Sequence, residues 1–95
     1  MAKVAFLGLG VMGFPMAGHL AAKGHDVTVY NRTFAKAEAW TKKHKGRAAR
    51  TPKKAAAGQE IVFCCVGNDD DLRSVVLGDD GAFAGMSKGS IFYDN

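Results

Sequence analysis

Cysteine is scarce in this chain, and what there is sits together: the two cysteines are neighbours, Cys64 and Cys65. Consecutive residues of a strand point to opposite faces, so the pair is badly placed for a disulfide and reads as two small buried residues kept reduced. Metal-ligand patterns are missing too. His19, His25 and His44 lack ligand spacing with carboxylates or thiols, which leaves no candidate metal site. No apolar run approaches the roughly 20 residues that cross a bilayer, and Met1-Ala2-Lys3 leads straight into a strand pattern. The expectation is a cytoplasmic protein with no membrane partner. Proline occurs twice, at positions 15 and 52, so few elements are interrupted. With no repeat, linker or low-complexity tract, residues 1–95 read as one domain with a modest core.

Charge is uneven rather than extreme. The net charge is +4, concentrated in Lys42, Lys43, Lys45, Arg47, Arg50, Lys53 and Lys54. Such a cluster raises nucleic acid as a partner, but no aromatic interleaving accompanies it, and a solvated basic face is the preferred reading.

The informative stretch is Val4-Ala5-Phe6-Leu7-Gly8-Leu9-Gly10-Val11-Met12-Gly13-Phe14-Pro15-Met16-Ala17. An apolar strand runs into glycines spaced Gly-x-Gly-x-x-Gly and then into a helical pattern, the context that a dinucleotide fingerprint requires. Gly8 permits the tight turn, Gly10 lets backbone approach a pyrophosphate, and Gly13 lets helix lie close on strand. The phosphates would rest on the amides and positive dipole end of the helix, where Pro15 is tolerated.

Downstream, the helix carries Met12, Met16 and Leu20 on one stripe beside Gly13, Ala17 and Ala21, and the two methionines are expected in the core. Gly24 stops it. Val27-Thr28-Val29-Tyr30 is a second strand. A helix over 34–44, with Phe34, Ala37 and Trp40 inward, ends at Gly46. A short third strand is expected within Arg47-Ala48-Ala49-Arg50, then a helix capped by Thr51-Pro52 and running to Ala57. Ile61 to Val66 is the most apolar run and a central strand. Gly67-Asn68-Asp69-Asp70 turns the chain into a helix with Leu72, Val75 and Val76 inward, broken at Gly78. A loop with Gly81, Gly85 and Gly89 delivers Ser90-Ile91-Phe92-Tyr93 as a last strand.

Alternating strands and helices predict an α/β fold: a Rossmann-type doubly wound parallel sheet in three αβα layers, strand order 3-2-1-4-5. Gly8, Asn31, Gly67 and Asp94 then fall at carboxyl strand ends, where such sheets bind ligands. NAD-binding sheets usually carry Asp or Glu about 20 residues after the glycines, on the ribose 2′-OH. Here that position is Asn31, followed by Arg32 and Thr33. An amide, a guanidinium and a hydroxyl all hydrogen-bond a 2′-phosphate that a carboxylate would repel, so NADP(H) is expected over NAD(H).

These residues, with Val29-Tyr30-Asn31-Arg32-Thr33 and Cys65-Val66-Gly67-Asn68-Asp69-Asp70, resemble the β-hydroxyacid dehydrogenases. That family includes 3-hydroxyisobutyrate dehydrogenase, tartronate-semialdehyde reductase and glyoxylate/succinic-semialdehyde reductase, and is related to 6-phosphogluconate dehydrogenase. The resemblance spans the chain. It implies that Gly8, Leu9, Gly10, Val11, Met12 and Gly13 hold the pyrophosphate, Asn31, Arg32 and Thr33 the 2′-phosphate end, and Val66, Gly67 and Asn68 the adenosine-side ribose. Asp94-Asn95 looks like the opening of the family's substrate motif, Asp-x-Ser/Thr-Thr, whose hydroxyl residues are not here. Lys3, Lys23 and Lys88 sit in no matching motif, so no residue takes the catalytic role. The chain is thus expected to be the cofactor half of an oxidoreductase on the CH–OH group of a small β-hydroxy acid, binding without turnover. The competing readings are a stand-alone nucleotide-binding or redox-sensing module and, behind it, a basic nucleic-acid module. The last strand, at the sheet edge with three large apolar or aromatic residues, is expected to support self-association.

Overall fold

The computed structural model describes residues 2–10, 12–66 and 69–94. In chain order the elements are β1 (Lys3–Leu7), α1 (Gly13–Ala22), β2 (Asp26–Tyr30), α2 (Phe34–Lys43), β3 (Arg47–Ala48), α3 (Pro52–Ala56), β4 (Ile61–Cys64), α4 (Asp69–Val76), α5 (Ala82–Gly85) and β5 (Ile91–Asp94). The strands form one sheet, every pair parallel, in the order β3-β2-β1-β4-β5. This is the expected doubly wound topology.

The period of two along β1 divides the core. Val4 and Phe6 pack with Ala17, Val27, Val29, Ala37 and Trp40 on the α1/α2 side. Ala5 and Leu7 pack with Ala55, Ala56, Val62, Cys64, Val75, Val76 and Ala82 on the other. Because β1 pairs with β2 on one edge and β4 on the other, all four of its residues from Val4 to Leu7 are buried. A strand covered on both faces tolerates no polar residue, which accounts for its unbroken apolar run. The adjacent cysteines part as expected, Cys64 entering one cluster and Cys65 lying against the other, both as free thiols.

Local signals set several boundaries. Gly24 takes φ +93 just beyond α1. Thr51 caps α3, its Oγ1 accepting the Lys54 N–H at 3.1 Å, with Pro52 at the first helical position. Gly46 has another use than stopping α2, which already ends at Lys43: a Cβ there would run into the Trp40 ring.

Three expectations are corrected. Met12 is not core but 65% exposed, because α1 begins at Gly13 and leaves Met12 as its N-cap, outside the inward stripe. Met16 and Leu20 pack against the core as partly buried residues. The segment read as a glycine loop contains α5, a single turn held between other elements. A Cβ on Gly81 would strike the Leu77 carbonyl oxygen, and one on Gly85 the Lys53 carbonyl oxygen. β4 is shorter than expected, ending at Cys64 rather than Val66. No helix among the described residues is long and apolar enough to cross a membrane.

Candidate functional site

At the carboxyl end of β1 the backbone turns at Gly8, whose φ is +97 and whose N–H donates to the Tyr30 carbonyl oxygen at 2.8 Å. A Cβ here would strike the carbonyl oxygen of Cys65, so the position demands glycine on two counts. Gly13 is required for a different reason. It lies buried where α1 crosses the turn, and a Cβ would meet the Gly8 carbonyl oxygen and, at 3.2 Å, the Phe6 ring.

Gly10 stands apart. It is exposed, it is not among the residues with positive φ, and a Cβ on it would meet nothing within 4 Å. The fold gives no reason for glycine at this position. A ligand lying on its backbone would.

The turn is tied to the end of β2 by Asn31. Its side-chain oxygen accepts the Leu9 N–H at 2.9 Å, and its amide nitrogen donates to the Thr33 carbonyl oxygen at 3.0 Å. One side chain thus fixes both the glycine turn and the Asn31-Arg32-Thr33 turn. The N-terminus of α1 has no side-chain cap and no acidic residue in its first turn, so the helix itself does nothing to offset its positive dipole end.

Between these turns lies an open crevice of about 240 Å³, lined by Gly8, Leu9, Gly10, Tyr30, Asn31, Arg32, Cys65, Val66 and Val75. None of these is acidic. Six of the sequence-predicted site residues therefore share one lining. Met12, Gly13 and Thr33 stand outside it: Met12 on the surface, Gly13 in the helix–strand seam, Thr33 exposed at the N-cap of α2. Val11, Gly67 and Asn68 lie outside the described residues. Sequence reasoning missed Tyr30 and Cys65 as lining residues, although Tyr30 closes β2 and Cys65 directly follows β4, strands whose carboxyl ends point to the crevice. Val75, reaching in from α4, carried no such signal.

Beneath the crevice, burial pushes the Cys64 thiol up to about 12, with the neighbouring Asp94 carboxylate and Cys65 adding to the effect. It stays protonated at ordinary pH. The basic stretch is divided among separate duties. Lys42 and Lys43 occupy the last turn of α2 and Lys53 and Lys54 that of α3. Arg47 makes two hydrogen bonds to Asp26, at 2.6 and 2.7 Å. Arg50 lies over the Phe34 ring, 4.1 Å from its centroid.

Comparison with known proteins agrees with this arrangement. The chain is 67% identical over 95 residues to an uncharacterized oxidoreductase of Shewanella frigidimarina, covering 100% of this chain and 33% of that protein. It is 39% identical over 92 residues to a probable 3-hydroxyisobutyrate dehydrogenase-like protein of Arabidopsis thaliana, covering 97% of this chain and 30% of that one. Among solved structures, 3-hydroxyisobutyrate dehydrogenase of Mycobacterium tuberculosis superimposes with a TM-score of 0.86 at 26% identity, covering 99% of this chain and 31% of that one. The chain thus spans about a third of the length of the curated relatives it matches. Residues 3–95 match the family described as the NAD binding domain of 6-phosphogluconate dehydrogenase. With its parallel sheet, its glycine turn and that match along nearly its whole length, the chain belongs to this dinucleotide-binding family.

Proposed function

We propose that the crevice binds NADP(H) in preference to NAD(H), and that the chain is the cofactor half of an oxidoreductase that acts on the CH–OH group of a small β-hydroxy acid or reduces the matching semialdehyde. The observation that carries this reading is Gly10, a glycine whose backbone and surroundings would accept a side chain. Its smallness is useful only to something that lies on it. In this reading Gly8, Leu9, Gly10, Val11, Met12 and Gly13 present backbone to the pyrophosphate at the uncapped helix end. Asn31, Arg32 and Thr33 meet the 2′-phosphate, and Asn31 also holds their turn in place through its bonds to Leu9 and Thr33. Val66, Gly67 and Asn68 flank the adenosine-side ribose. The bound nicotinamide supplies the hydride chemistry, and no residue of this chain is assigned a catalytic role.

Preference for the phosphorylated cofactor follows from the absence of any carboxylate in the described lining and the presence of Arg32. A charge-assisted hydrogen bond contributes about 1.5–3 kcal/mol. Arg32→Ala should therefore weaken NADPH about ten- to a hundredfold and leave NADH nearly unchanged. Fluorescence titration with both cofactors tests it, and equal losses refute the assignment of Arg32. Incubation with NADPH and tartronate or succinic semialdehyde should give binding without saturable oxidation; sustained turnover refutes the cofactor-half reading.

The chain is further proposed to act in the cytoplasm and to self-associate through β5. That strand is a sheet edge with Ile91 58% and Tyr93 55% exposed, and it offers unpaired backbone groups beside an apolar surface.

A further inference from the structure

Phe34 packs as a partly buried residue against the α1/α2 side of the core, while the Arg50 guanidinium over its ring has no part in the functional reading so far. β3 runs parallel to β2 with Val29 opposite Ala48, and the Ala49 N–H continues the ladder by donating to the Val29 carbonyl oxygen at 2.9 Å. Continued two residues past that pair, the same register brings Arg50 level with Asn31 at the carboxyl end of the sheet, next to the crevice lining but not part of it. From Asn31 the chain turns through Arg32 and Thr33 to Phe34, the first residue of α2. The ring of Phe34 is the platform on which the Arg50 guanidinium rests, 4.1 Å from its centroid. Arg32 and Arg50 therefore flank the same turn from two sides, one on the turn itself and one on the neighbouring strand end.

We propose that Arg50, held over Phe34, is a second cation for the ribose 2′-phosphate and a determinant of NADP(H) specificity. The inference rests on the NADP(H) reading above. A phosphate monoester carries about −1.5 to −2 charges at pH 7, more than one guanidinium neutralises. Arginine suits the place because its N–H donors lie in the guanidinium plane, so its face can rest on an aromatic ring while its edge meets phosphate oxygens. The ring also limits the rotamer freedom that a long exposed side chain would otherwise lose on binding. Lysine would keep the charge without the planar fork. Phe34 acts through Arg50 and is a positioning residue.

The test measures dissociation constants for NADPH, NADH, adenosine 2′,5′-bisphosphate and adenosine 5′-monophosphate with the parent chain, Arg50→Gln, Arg50→Lys, Phe34→Leu and Arg32→Ala. Arg50→Gln is expected to weaken NADPH and the bisphosphate about tenfold and to change NADH and the monophosphate less than about twofold. Phe34→Leu should produce part of the same selective loss, and Arg50→Lys should recover part of it. The retained NADH affinity serves as the folding control for each variant. If the NADPH/NADH ratio moves less than about twofold in Arg50→Gln while Arg32→Ala still loses NADPH selectively, the role of Arg50 is overturned and the NADP(H) reading stands. If the parent shows no preference for NADPH, both fall.

Discussion

Replacing each glycine of the fingerprint by alanine separates what the fold needs from what the ligand needs. At Gly8 the added methyl meets the Cys65 carbonyl oxygen while the backbone stays at φ +97. Left-handed backbone costs an L-residue about 1–2 kcal/mol and overpacking about 1–3, so Gly8→Ala should lose about 2–5 kcal/mol. A domain of this size has about 5–15 kcal/mol in all. Gly13→Ala has no φ penalty but drives its methyl into the Gly8 carbonyl and the Phe6 ring, and should lose about 1–3 kcal/mol. Gly10→Ala meets nothing and should stay within about 0.5 kcal/mol of the parent. Binding should rank differently: Gly10→Ala places a methyl where the pyrophosphate would approach and should lose NADPH by more than about tenfold despite its intact fold. Urea unfolding followed by circular dichroism gives the stabilities, and cofactor titration of the folded variants gives the affinities. A Gly10→Ala variant that binds NADPH like the parent would refute the reasoning, and so would one that unfolds as readily as Gly8→Ala.

Asn31→Asp keeps an oxygen for the Leu9 N–H but loses the bond to the Thr33 carbonyl and adds a carboxylate at the end of β2, so the NADPH/NADH affinity ratio should fall by at least about tenfold in paired titrations. With Cys64 buried and its thiol pushed up to about 12, Cys65 should be the one that reacts with a thiol reagent at pH 8, and bound NADPH should slow it because Cys65 lines the crevice; two equally fast thiols would contradict this. The same shift fixes a sign. A thiol that titrates higher folded than unfolded supports the fold fully below the ordinary thiol value of 9.0 and progressively loses that support as pH rises toward 12, so Cys64→Ala should flatten the alkaline limb of a stability–pH curve. Ile91→Lys, on the exposed face of the edge strand, should shift sedimentation toward monomer at high concentration, and a parent that is monomeric throughout would dispose of the edge contact.

What was legible in the sequence was local or periodic. The run from Val4 to Leu7, the Thr51-Pro52 cap and the opposite facing of Cys64 and Cys65 need only neighbours in the chain, and the strand order follows from alternation and crossover handedness. Met12 was misread because a four-residue spacing extends a stripe past a helix end without marking where the first turn begins. The α5 turn was invisible because its two bounding glycines are there for contact with the Leu77 and Lys53 carbonyls, which no local pattern reports. In the site, Asn31 was read as a ligand contact. Its amide also joins two turns, a role that depends on how closely the ends of β1 and β2 approach. The Arg50–Phe34 pair likewise exists only through the register of a two-residue strand.

That all five strands run the same way gives the molecule two unlike poles. Lys3, Asp26 and Arg47 open strands at one, and Leu7, Tyr30, Cys64 and Asp94 close them at the other, beside the crevice. β1 is the middle of the sheet, so trimming residues before Gly8 removes the centre rather than an edge. An affinity tag or fluorophore joined ahead of Lys3 hangs from the far pole, clear of the crevice. The same label joined after Asp94 hangs from the crevice's own pole.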